Sequence, residues 1–291
     1  MSYEGWILLT ASLVGLSCGI IGVFLILRKM VMMADAISHT VLLGIVTAYL
    51  ITQELNGMPM LIGAIIAGLL TAVLVQWLHS LGVQQDASIG VVFTTLFAIG
   101  VILIATKTGN VHLDVQHALM GEITFVPWHT MDVPLIGEIP QATFILLIVL
   151  AIVLVMILAF YKEWKITTFD AALAASLGLP VMLMHYVFMT LVSITTVASF
   201  DAVGAIMVVA MLITPAAAAY LWTDRLSVMI CLSALFGVIS AISGYYIAVW
   251  IDTSISGSMA FATGIIFVIS FIGSPNHGYF ARYIRPVTIQ D

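Results

Sequence analysis

The chain has 291 residues, 63% of them apolar and 8% charged, against about a quarter charged in an ordinary soluble domain. Eight basic and fourteen acidic side chains cannot clothe a water-soluble surface of that size, so most of the exterior must meet lipid and a soluble globular protein is excluded. The net charge of −6 argues against nucleic acid as a partner, and the two cysteines, Cys18 and Cys231, both in apolar runs, leave no disulfide framework or CxxC site.

A membrane helix needs about 17 to 25 apolar residues. In chain order such runs fall at about 6 to 27, 36 to 53, 60 to 80, 88 to 106, 141 to 160, 180 to 199, 203 to 222, 227 to 250 and 257 to 273. The expected fold is all-α: a polytopic membrane bundle of about nine transmembrane helices within a single transmembrane domain over 1–291. The first run has Glu4 where a signal peptide carries positive charge, so it is expected to persist as a helix. The second begins beside Asp35 and His39, and a re-entrant entry there would reduce the count to eight.

Basic residues set the orientation. Arg28, Lys29, Lys162, Lys165, Arg225, Arg282 and Arg285 fall in gaps on one side of an alternating nine-span chain, with only Lys107 on the other. This predicts an outer N-terminus and a cytoplasmic C-terminus. On that assignment 107–140 is a polar, proline-broken outer loop containing His112, Asp114 and His117, a surface that could receive a partner protein. Their spacing does not place all three on one helical face, and solvated loop residues are the simpler reading.

On the inner side, Asp170 is a suitable N-cap for the Ala-rich stretch that follows, Gly178 a stop and Pro180 an opener for the next helix. The segment from about 168 to 178 therefore reads as a short cytoplasmic helix. Asp201 reads as an N-cap for a helix beginning near Ala202, and His185 as a headgroup-level histidine. The methionines form no sustained Met-x-x-Met stripe and read as apolar filling. Small residues at Gly15, Gly19 and Gly22, at Gly63 to Gly68 and at Pro215 to Ala219 predict close helix crossings.

Ionisable residues inside a span are functional candidates, because hydrocarbon is an expensive place for a charge. Asp35 and His39, at i and i+4, share a helical face with Cβ atoms about 6 Å apart, a spacing one divalent cation can bridge. The bland alternative is a helix-end ion pair. Carboxylate and imidazole without thiolate suit Mn²⁺, and also accept Zn²⁺ or Fe²⁺. No P-loop, dinucleotide turn or Ser/His/Asp arrangement occurs, so ATP hydrolysis would need another chain.

The stretch Arg28-Lys29-Met30 and Met33-Ala34-Asp35-Ala36-Ile37-Ser38-His39-Thr40-Val41-Leu42-Leu43-Gly44 resembles the "DAISHAVLPG" signature of the permease subunits of bacterial manganese, zinc and iron ABC importers, the ABC-3 family. Asp86-Ala87-Ser88-Ile89-Gly90, Thr168-Phe169-Asp170 to Val181, and Val203-Gly204 through Ala217 resemble further family motifs, so the likeness extends from about 12 to 273. It implies a type II-like importer, built from two copies of this permease, ATP-binding subunits docked on the inner helix and an extracellular metal-binding lipoprotein, in a bacterial cell membrane. It implies no permanent cofactor: the metal, Mn²⁺ foremost, is cargo held by Asp35 and His39. Phe169, Asp170, Ala174 and Gly178 fall on the ATPase-coupling helix. Leu43 stands where the family usually has proline and Ala34 where glycine is common. An ion-coupled secondary transporter using Asp35 and His39 as a relay is the reading from another class; it would be expected to show internal repeats, and none is evident.

Overall fold

The computed structural model describes residues 2–53, 57–107, 123–133, 137–275 and 278. Among these, nine helices are long and apolar enough to cross a membrane: α1 (Tyr3–Leu27), α2 (Val31–Thr52), α3 (Gly57–Ser80), α4 (Gln85–Lys107), α5 (Gln141–Ala159), α8 (Val181–Val203), α9 (Ala205–Trp222), α10 (Leu226–Ile251) and α11 (Ile255–Gly273). Two short helices, α6 (Tyr161–Phe169) and α7 (Ala171–Ser176), lie between α5 and α8. The second run is thus a continuous helix in which Asp35 and His39 are internal, and α2 passes unbroken through Ala34 and Leu43.

α1 is the hub. It packs against α5, α8, α9 and α10, and its span is the most buried of the nine. α2 lies against α3, α4, α8 and α9. In lipid the hydrophobic effect gives helices little reason to associate, so close packing must hold them. The glycines predicted for this role perform it: a side chain at Gly15 would strike the Gly237 backbone of α10, at Gly19 the Ser233 backbone, at Gly22 the Leu212 carbonyl of α9, and at Gly63 the Gly44 backbone of α2. Hydroxyls tie other crossings, Thr10 to Thr143 at 2.6 Å and Thr71 to Thr40 at 2.8 Å.

Two sets of contacts distinguish the bundle's ends. The Tyr3 hydroxyl donates to the Thr124 carbonyl, joining the start of α1 to a 3₁₀ helix (Ile123–Trp128). At the other end of α1, Arg28 donates to Thr167 and Thr168 of α6. The segment between α4 and α5 also contains a short antiparallel pair, β1 (Thr130–Val133) with β2 (Gly137–Pro140), in register Thr130↔Pro140 to Val133↔Gly137. His112, Asp114 and His117 lie outside the described residues.

Two local readings need correction. Asp201 is not a cap: it sits in the last turn of α8, and Gly204 alone separates α8 from α9. Gly204 adopts φ 85° and ψ 160°, a conformation essentially restricted to glycine, which allows a one-residue break. The short helix expected over 168–178 is α7, capped by Asp170 as read but confined to Ala171–Ser176; the residues before it belong to α6, and Asp170 between the two is extended at φ −146° and ψ 91°.

Candidate functional site

Asp35 and His39 occupy successive turns of α2, and His39 Nε2 lies 3.6 Å from Asp35 Oδ1. That separation sets a carboxylate beside an imidazole but is too long for a hydrogen bond, so the oxygen and the ring nitrogen that face each other do not satisfy one another and can turn to a third partner. Both are partly open, the His39 side chain at 35% exposure and Asp35 at 38%. Their neighbours Ala34, Ala36, Ile37, Ser38 and Thr40 are buried. Ser38 satisfies its hydroxyl on the Ala34 carbonyl at 2.8 Å, and Thr40 on that of Ile37 at 3.1 Å. At a rise of 1.5 Å per residue the pair lies roughly 6 to 12 Å from the start of α2, in the half of the span nearer the Arg28 end.

Two phenylalanines that sequence reasoning missed hold the imidazole. His39 stacks on Phe93 with ring centroids 5.7 Å apart and meets Phe97 edge-on at 5.8 Å. Both project from one face of α4, at i and i+4. They reach His39 because α4 approaches α2 closely: a side chain at Gly100 would lie 3.1 Å from the Leu43 backbone nitrogen. The available signal was this Phe spacing directly after the Asp86 to Gly90 motif. In an apolar run, however, it resembles any lipid-facing pair.

At the Arg28 end of the bundle, Asp170 Oδ1 accepts from the Leu173 backbone N–H at 2.8 Å, capping α7 as expected. Ala174 departs from expectation. It is 0% exposed, turned towards the chain where α7 packs on α6 and α8, and so is closed to a partner. The apolar side chains presented outward are Phe169, Leu173 and Leu177. Gly178 follows the helix with φ 79°, and a side chain there would meet nothing.

A model of the ABC 3 transport family matches residues 3–274. The chain belongs to the ABC 3 transport family. Among ABC 3 relatives, it is 57% identical over 290 residues to the manganese transport system membrane protein MntD of Bacillus subtilis (strain 168), covering 100% of this chain and 98% of that protein. It is 42% identical over 277 residues to the zinc transport system membrane protein TroD of Treponema pallidum (strain Nichols), covering 95% and 75%. The solved structure of PsaBC from Streptococcus pneumoniae in complex with Fab matches with a TM-score of 0.80 and 34% identity over 97% of this chain and 95% of that one. As an ABC 3 permease the chain is an all-α, multi-pass membrane subunit that is itself non-catalytic, with ATP hydrolysis carried by a separate subunit.

Proposed function

We propose that this chain is the permease of an ATP-driven importer of divalent transition metal ions, Mn²⁺ foremost, and that the ion passes Asp35 and His39. The observation that carries the reading is the pair itself: a carboxylate and an imidazole 3.6 Å apart, each more than a third exposed, inside an apolar span. Lipid is a costly cover for such groups. A second copy apposed across a water-lined path is a suitable one, and two copies would offer two oxygens and two nitrogens to one ion.

Mixed oxygen and nitrogen ligands without sulfur favour Mn²⁺ or Fe²⁺ and also accept Zn²⁺. MntD and other manganese-named relatives support manganese, while TroD keeps zinc as the second reading. In this scheme ATP-binding subunits dock on the Phe169, Leu173 and Leu177 face at the cytoplasmic end. A metal-binding lipoprotein approaches the opposite end, where the N-terminus, the 3₁₀ helix and the β pair lie, and the C-terminus is cytoplasmic.

The test is uptake into vesicles containing the permease with and without its ATP-binding partner. Mn²⁺ accumulation that requires both the partner and ATP is expected. Accumulation driven by an ion gradient without the partner contradicts the importer reading, and preference for Zn²⁺ over Mn²⁺ corrects the cargo.

A further inference from the structure

We infer that Arg28 is a positioning residue that ties the inner α6–α7 elbow to the start of α2, so that movement at α7 reaches the helix carrying Asp35 and His39. The inference rests on the importer reading. Its starting point is a desolvated cation that the metal site does not use.

Arg28 is held on the backbone side by a closed turn. Lys29, at φ 57°, donates to the Ile26 carbonyl at 3.0 Å and Met30 to that of Leu25 at 2.9 Å, the paired bonds of a Schellman motif. Arg28 is therefore fixed to the end of α1 and lies three residues from Val31, where α2 begins. Asp35 is one further turn along.

The side chain grips the other element. Nε donates to Thr168 Oγ1 and Nη2 to Thr167 Oγ1, both at 3.1 Å, and Thr168 lies two residues before Asp170, the cap of α7. The guanidinium carbon sits 4.7 Å from the Phe188 ring centre and 5.4 Å from that of Trp164. Phe24, Trp164 and Phe188 touch one another at 5.8 to 6.3 Å. Trp164 is 1% exposed and donates from Nε1 to the Met156 carbonyl of α5 at 3.1 Å, which fastens the box to α5 as well. A planar fork can bond two adjacent hydroxyls while stacking on rings, and an ammonium cannot do both. Burial lowers the Arg28 pKa to about 10, so the cation persists at neutral pH.

Coupling across a membrane protein requires an element that both sites bias. Here α7, Asp170, Thr168 and Thr167, Arg28, the α1–α2 turn and α2 form one continuous series of contacts. A residue that only stabilises the fold would change how much complex assembles; one that transmits motion would change how much metal each ATP moves.

The experiment uses full-length permease assembled with its ATP-binding subunit in vesicles and measures assembled complex, ATP hydrolysis and Mn²⁺ uptake on the same preparations. Arg28→Lys and the double variant Thr167→Val/Thr168→Val are compared with wild type. The double variant keeps the cation and its box and removes the tie, together with the bond that the Thr167 hydroxyl donates to the Glu163 carbonyl inside α6, so it remains informative if Arg28→Lys assembles poorly. The expected result is assembly and ATP hydrolysis within about twofold of wild type and at least a tenfold fall in Mn²⁺ moved per ATP. An unchanged ratio in assembled double variant overturns the inference, as does a loss confined to the quantity of complex. Failure of the wild-type complex to take up Mn²⁺, Zn²⁺ or Fe²⁺ with ATP would instead overturn the importer reading, and this inference with it.

Discussion

The crossing of α2 and α3 holds the helix that carries Asp35 and His39, and it can be perturbed at a single methyl group. A Cβ placed on Gly44 would lie 2.7 Å from Ala64 Cα, with the Gly63 carbonyl oxygen closer still, and a Cβ on Gly63 would lie 2.7 Å from Ala48 Cβ and meet the Gly44 carbonyl. Ordinary contacts sit near 3.5 Å, so the helices must part by roughly 1 Å or tilt. Overpacking of this kind costs about 1–3 kcal/mol, and Gly44→Ala and Gly63→Ala are each expected to destabilise the purified chain by that amount. Once the helices have parted, the second methyl meets less resistance, so the double variant should cost less than the sum of the two. Gly264, which has open space where its Cβ would be, is the control: Ala there should gain about 0.5–1 kcal/mol from helix propensity alone. Denaturant titration from mixed micelles measures all four variants. Gly44 lies five residues beyond His39, so the same displacement should loosen the site against Phe93 and Phe97 and weaken metal uptake, since a site displaced by about 1 Å is poorly supported. Losses below about 0.5 kcal/mol in both single variants, or strict additivity in the double, would refute the close-crossing argument.

Leu173→Asp should abolish co-purification of the ATP-binding subunit while leaving the permease folded; retention of the partner and of ATP-driven uptake would remove α7 from the docking surface. Ala174→Glu places a charge at a position buried inside the chain, so lower yield of folded permease is expected, and normal yield with selective loss of the partner would reverse that assignment. Phe93→Ala/Phe97→Ala removes two ring contacts that contribute about 0.5–1.5 kcal/mol each, so a weaker apparent affinity for Mn²⁺ in an assembled complex is expected; an unchanged affinity would show that the imidazole needs no support from α4.

Span number was legible because bilayer thickness fixes helix length, and every apolar run became one helix. Boundaries were less so. The second run appeared to begin at residue 36 because Asp35 interrupts the apolar pattern, whereas α2 starts at Val31 and carries both polar groups on one face. The Asp170 cap was readable from local chemistry. The orientation of Ala174 was not, since an Ala-rich turn has no apolar stripe to mark its inner side. α6 was hidden for a related reason: Tyr161–Phe169 is polar overall, and its anchor is the burial of one residue, Trp164, among Phe24 and Phe188 from distant parts of the chain. Asp201 misled because Asp is a common cap, yet Gly204 supplies the backbone conformation that the break requires. Asp35 and His39 stood out as ionisable residues in an apolar run, while Phe93 and Phe97 became distinguishable only when α4 was placed beside α2.

The central claim is that metal passes between Asp35 and His39, and the most direct measurement is ATP-driven Mn²⁺ uptake by assembled complexes carrying Asp35→Ala or His39→Ala. Each variant deletes a ligand from the partly exposed face of an otherwise apolar helix, so assembly with the ATP-binding subunit should be preserved and uptake should fall to the level of vesicles without ATP. Uptake near wild type in either assembled variant would contradict the account.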